Sequence, residues 1–302
     1  MKPNPLLKKL GFSENDRLVI IHADDLGMCH ASVAACEKLF QTGGISSAAI
    51  MVPCPWFLSA INLKTKVENY DLGVHLTLTS EWKHYRWRPI STVDPNSGLI
   101  DPQGYFHSTS EDVFNKADPS FVKIEINAQI ERAISEGLEP THIDTHMGSV
   151  AHPKFMFDYI QASIARKIPA MVFRLSKEEW IKIGLDQGSA AIIESYLSGL
   201  EEQGFPLLDH IRSIPLDQPK DRLQTAKNIF KNLPPGITHF IIHPSIETEE
   251  LKSITPDWES RVGDFELFAN KDIHQFLKNE GIHIIGYNDI KQQFTHSDIN
   301  IS

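Results

Sequence analysis

The stretch VIIHADDLGM, residues 19–28, sets a run of β-branched residues directly against two consecutive carboxylates, Asp24 and Asp25. Val19, Ile20 and Ile21 read as a strand buried on both faces, the pattern of a parallel sheet. Carboxylates at the end of such a strand are costly unless they are paired or bind something. Alone, an Asp pair after a strand is as readily a turn or a helix cap. Successive side chains on a strand point to opposite faces. The pair is therefore expected to divide its work, one carboxylate on a metal and the other, turned aside, handling a proton.

Working outward, the same kind of segment recurs. Strands are expected at 18–23, 46–52, 71–77, 141–146, 170–175, 207–213, 237–243 and 282–287. Helices are expected near 30–42, 55–66, 119–136, 153–166, 177–201, 219–232 and 264–280, with glycines at 43–44, 137 and 281 where a helix should stop. This alternation predicts an α/β fold with a largely parallel sheet of seven or eight strands. Several strands carry a polar residue at or near the C-terminal end: Asp24 and Asp25, His75, His146, Arg174 and His243. A closed or nearly closed β/α barrel gathers such ends around one axis, whereas an open doubly wound sheet brings fewer to a point. A distorted, TIM-barrel-like (β/α) barrel is the expected architecture.

THIDTH, 141–146, is the strongest local signal. A period of two places His142, Asp144 and His146 on one face, and three buried ionisable groups must pair or bind something. In DLGVHLTL, His75 shares a face with Gly73 and Thr77, and Gly73 is expected to leave room beside the His75 imidazole. Two histidines and a carboxylate make an open three-ligand metal site, and imidazole ligands favour Zn²⁺. Residues 80–118, with Pro89, Pro95, Pro102 and the aromatics Trp82, Tyr85 and Trp87, read as a long insert forming a lid or binding loop. A second irregular stretch is expected at 244–263. The 302 residues show no repeat or linker, and one domain is expected over 1–302.

Composition narrows the classes. A net charge of −10 with scattered Lys and Arg speaks against nucleic acid and against a membrane-binding face. The three cysteines, Cys29, Cys36 and Cys54, lack CxxC spacing and suggest reduced thiols in a reducing compartment, so a cytoplasmic protein is expected. No GxxxxGK[ST], GxGxxG or GxSxG occurs.

With these residues laid out, the sequence resembles the YdjC family of carbohydrate deacetylases, which includes chitooligosaccharide and hopanoid-pathway deacetylases. The resemblance runs through HADDLGM (22–28), GGISSAAIMV (43–52), GVHLTLT (73–79), GYF (104–106), PTHIDTH (140–146), FRL (173–175), HPS (243–245) and GIHIIGY (281–287). It implies a distorted β/α barrel, Asp25, His75 and His146 as metal ligands, Asp24 as catalytic base, and Mg²⁺ as the ion usually described. The chain departs from the family where Met147-Gly148-Ser149-Val150 follows the HxDxH segment in place of further histidines, and where HPS replaces HPG. The activity expected is metal-assisted hydrolysis of an N-acetyl group on an amino sugar or related carbohydrate. Arg174 is expected to hold Asp24 ionised. His243, protonated near neutrality, is expected to act as the acid for the departing amine. Two other readings use the same residues: a hydrolase or isomerase acting on a sugar or sugar phosphate, and a non-catalytic metal-dependent carbohydrate-binding protein. The partner expected is a small carbohydrate, and the composition is compatible with a homo-oligomer.

Overall fold

Strand β1 (Arg17–Leu26) runs through the middle of the sheet and is hydrogen-bonded along both sides. In the computed structural model, which describes residues 2–294 and Ile299, the other strands are β2 (Ser47–Ile50), β3 (Leu72–Leu76), β4 (Ile143–Thr145), β5 (His210–Ser213), β6 (Gly236–Ile242) and β7 (Ile282–Ile284). The order is β4-β3-β2-β1-β6-β5, and every pairing is parallel. Residues 17–23 of β1 pair with β6. On its other side β7 takes residues 17–19, and β2 takes the end from His22 to Leu26.

The sheet curls, and its free edges are drawn together by the segment 170–173. Ala170 bridges Ile143 of β4, and Phe173 bridges Leu208 just before β5. This segment stands where a full strand is expected at 170–175. It changes partner within three residues, the Met171 N–H donating to Ile143 O at 2.9 Å and the Arg174 N–H to Leu208 O at 2.8 Å, so no continuous ladder forms. The result is a curled, half-barrel parallel sheet with covering helices, as the strand-end pattern predicts.

The expected helix 177–201 is two helices, Lys177–Lys182 and Gln187–Glu202. The second is capped by Asp186, which accepts from the N–H groups of Gly188 and Ser189. The expected helix 264–280 is also two, Trp258–Ala269 and Lys271–Asn279. They part at Asn270, whose side chain caps the second. The first therefore reaches back into the stretch read as irregular. Among the described residues no helix is long and apolar enough to cross a membrane.

Alternation along β1 sorts the core. Val19, Ile21 and Ala23 belong to the large cluster packed under the helices. Leu18 and Ile20 point the other way, packing with Met171, Leu208, Ile237 and Tyr287 inside the curl. Continuing that inward series gives His22 and then Asp24. The interior thus passes from apolar at the N-terminal strand ends, through a buried layer of His22, His142, His239 and Tyr287, to ionisable groups at the C-terminal ends. In that layer His142 stacks on Tyr287 with ring centroids 3.9 Å apart, and Tyr287 Oη lies 2.9 Å from His239 Nδ1.

Candidate active site

The alternation of β1 fails at its end. Asp25 has φ +60°, and the register with β2 shifts between Ala23 and Leu26. Gly27, at φ +90°, completes the turn. This irregularity swings Asp25 to the side of the sheet that Asp24 already faces, so both carboxylates reach one site instead of opposite faces. Asp25 Oδ1 lies 3.2 Å from His146 Nδ1 and 3.6 Å from His75 Nε2, and Asp24 Oδ2 lies 3.8 Å from His75 Nε2.

Each of these groups is held from behind. His75 Nδ1 and Asp144 Oδ1 are 2.9 Å apart, and the other oxygen of Asp144 is 2.9 Å from His22 Nε2. His146 Nε2 is 3.1 Å from Glu81 Oε2. Asp25 Oδ2 accepts a hydrogen bond from Arg261 Nη1 at 2.7 Å. The inner atoms are left over: Asp25 Oδ1 and His75 Nε2 are buried without a hydrogen-bond partner. One donor atom from each of Asp25, His75 and His146 lies within 4.8 Å of the others. A carboxylate oxygen and two imidazole nitrogens, oriented by outer partners, fit a divalent cation.

The electrostatics follow from this crowding. Burial raises the Asp25 carboxyl, but Arg261, His146 and His75 outweigh it and hold Asp25 well below the ordinary carboxylate range. Burial is also the largest influence on Asp24 and lifts it to about 6 against the opposing pull of His75 and His22. Burial lowers both imidazoles, but Asp144 and Asp24 lift His75 well above its usual value, and Glu81 and Asp25 lift His146 to about 9.

These residues open into a cavity of about 360 Å³. Asp24, Asp25 and His146 lie in its wall with Trp82, Met147, Leu216 and Arg261. Trp82 comes from the long 80–118 insert, packs edge-on against Trp87 at 5.4 Å, and lies under the Arg261 guanidinium at 5.5 Å. Met147 and Gly148, both at positive φ, turn the chain sharply after His146, which is where the expected further histidines are missing.

Comparison with known proteins places this arrangement. Residues 18–279 match the family described as YdjC-like protein. The chain belongs to the YdjC-like family. A carbohydrate deacetylase of Thermus thermophilus is 31% identical over 272 residues, covering 90% of this chain and 93% of the relative. A carbohydrate deacetylase of Thermoanaerobacter pseudethanolicus is 25% identical over 275 residues, 91% of this chain and 100% of the relative. Among solved structures, a putative cellobiose-phosphate cleavage protein from Enterococcus faecalis superposes with a TM-score of 0.74 at 19% identity, over 91% of this chain and 99% of that one, which shows the shared fold.

Two expectations need correction in this YdjC-like chain. Arg174 is not at the site. Met171 and Phe173 take the inward positions of their segment, so Arg174 is out of phase and faces away. Its guanidinium pairs with Glu201 at 2.7 Å and Asp209 at 3.2 Å, and donates to Lys2 O at 3.0 Å. His243 does line the cavity, but it is not poised to be protonated near neutrality, because burial pushes its imidazole down to about 3. The arginine that does reach the site is Arg261, paired with Asp257 and Asp25. Arg261 and Asp257 fall in the stretch taken as irregular, where their i, i+4 spacing was the available signal.

Proposed function

We propose that the protein is a metal-dependent carbohydrate deacetylase that hydrolyses the N-acetyl group of an amino sugar or related carbohydrate. The observation that carries this is the convergence of Asp25, His75 and His146, with Asp24 beside them, at a cavity whose wall Asp24, Asp25 and His146 form. The family membership and the relatives named carbohydrate deacetylases support it.

Asp25, His75 and His146 would hold the cation through Oδ1, Nε2 and Nδ1. Two nitrogens and one oxygen are a donor set that Zn²⁺ takes more readily than Mg²⁺, which prefers oxygen. When bound, such a cation makes a water nucleophilic near neutral pH and polarises the acetyl carbonyl. Asp24 accepts the proton of the attacking water, and its raised carboxyl suits a base working near neutrality. His243, neutral at rest, cannot bring a proton of its own. The proton that leaves with the amine comes from the water, delivered by Asp24 or relayed through His243. Trp82 and the apolar wall at Met147 and Leu216 offer faces for a sugar ring. The free, buried Cys29, Cys36 and Cys54 fit a reducing compartment and hence a cytoplasmic location.

The test is metal analysis of the purified protein with acetate and phosphate release measured side by side on acetylated and phosphorylated sugars. Acetate release is expected; phosphate release alone would point to the phosphoester reading, and tight binding without turnover to a binding protein. Asp24→Asn should keep its metal and lose about 10²–10⁴-fold in kcat; full activity removes Asp24 from the mechanism. His75→Ala and His146→Ala should lose the metal, and unchanged metal content refutes the ligand assignment.

A further inference from the structure

Arg261 reaches the site from the helix Trp258–Ala269 and touches Asp25 in a particular way. Its Nη1 takes Oδ2 at 2.7 Å, leaving Oδ1 alone to face His146 and His75. Both partners are almost sealed from solvent, Asp25 at 2% and Arg261 at 4% exposure. The guanidinium has no freedom to swing off. Its Nε donates to Asp257 Oδ1 at 2.7 Å and its Nη2 to Asp257 Oδ2 at 3.3 Å, and Trp82 lies against it. Asp257 Oδ1 also accepts from Thr255 Oγ1 at 2.5 Å, and the Ser245 N–H holds the Arg261 carbonyl at 3.1 Å.

We propose that Arg261 sets which cation the site accepts, by occupying one oxygen of Asp25 and leaving the carboxylate a single-oxygen ligand of reduced charge. The inference rests on Asp25, His75 and His146 being the cation ligands. Hard cations such as Mg²⁺ and Ca²⁺ draw affinity from oxygen number and full anionic charge. With Arg261 in place the site offers a cation two imidazoles, which give up their protons on ligation, and the one Asp25 oxygen that Arg261 does not take, a set that favours a borderline-soft ion such as Zn²⁺. Without the guanidinium, both oxygens of Asp25 become available and the charges of Asp25 and Asp257 are uncompensated. The balance then moves toward hard cations. Arg261 is on this account a positioning residue, acting through Asp25.

Apoprotein is titrated calorimetrically with Zn²⁺ and with Mg²⁺, and the ratio of the two dissociation constants is compared among variants. Outer partners of metal ligands commonly change affinity 10–100-fold, so Arg261→Met should reduce the preference for Zn²⁺ over Mg²⁺ by about tenfold or more. Arg261→Lys, which keeps the charge but cannot span Asp25 and Asp257 together, should fall between and serves if the methionine variant does not fold. A wild-type ratio in the folded variant, or equal weakening of both ions, overturns the proposal and leaves Arg261 a structural residue. Failure of the ligand reading looks different: His75→Ala would then bind both ions as the wild type does.

Discussion

Gly73 sits on β3 two residues before His75, and a Cβ there would collide with the imidazole of His142, which directly precedes β4. That ring cannot retreat. It stacks on Tyr287, and its Nδ1 lies 2.9 Å from Thr141 Oγ1. Gly73→Ala should therefore destabilise the fold by about 1–3 kcal/mol, the usual cost of overpacking a core. The denaturant midpoint reads this directly, and an unchanged midpoint would show that His142 has somewhere else to go. The need for space at this position was legible in the sequence, but its beneficiary was not, because the ring that needs it comes from some seventy residues away. Asp24 and Asp25 show the same limit. That they are a candidate pair is readable from their place after VII; that they face one cavity depends on the positive φ of Asp25, a backbone departure that strand alternation cannot anticipate. Arg174 was misjudged by one residue of phase, enough to move a side chain to the opposite face.

At the scale of elements, the 80–118 insert is tied back on itself by a fork at Arg86. Arg86 Nη2 donates to Asp101 Oδ2 at 2.9 Å and to Phe106 O at 2.6 Å, and its Nε to Ser80 Oγ at 3.2 Å. Burial is the largest single influence on the Asp101 carboxyl and raises it, but the Tyr105 N–H, the Arg86 guanidinium and the Gln103 N–H together prevail, leaving it below its ordinary value. A carboxylate with a lowered folded-state pKa stabilises fully above its unfolded pKa, about 3.9, and that contribution is lost as pH falls from there through the folded value. Acidification below pH ~4 should loosen this loop, seen as a shift of Trp82 and Trp87 emission to longer wavelength. In Asp101→Asn the loop should be loose already at neutral pH, with that pH-dependent step gone; an acid-induced step of wild-type size would assign it to another group. The insert itself was readable from its prolines and aromatics. The 244–263 stretch was not, since Pro244 and Pro256 masked two short helices, Glu249–Ile254 and the start of the one bearing Arg261.

For the whole molecule, the cavity at the strand ends has a second trough of about 590 Å³ beside it, with Leu216 and Asp257 in the walls of both. A sugar chain lying across both would have to pass Leu216. Leu216→Trp should narrow the passage and lower kcat/KM for acetylated trimers and longer chains by about tenfold, with less than a twofold effect on the single sugar; equal loss at every length would count against a shared channel. The overall architecture was the most legible level of all. Polar residues gathered at strand C-termini can converge only if the sheet curls, and the parallel order follows from helices placed between strands. What the pattern could not reveal was the weak closure at 170–173, where hydrogen-bonding changes hands too quickly for a strand to form. The central place of β1 carries one more consequence. The aspartates hang from the strand that β2, β6 and β7 all clasp, so these two carboxylates have no hinge of their own along which to melt. Amide protons of residues 19–23 should be among the slowest to exchange with deuterium, released only by global opening. Heat inactivation and cooperative unfolding should then coincide, with no folded but catalytically dead species between them.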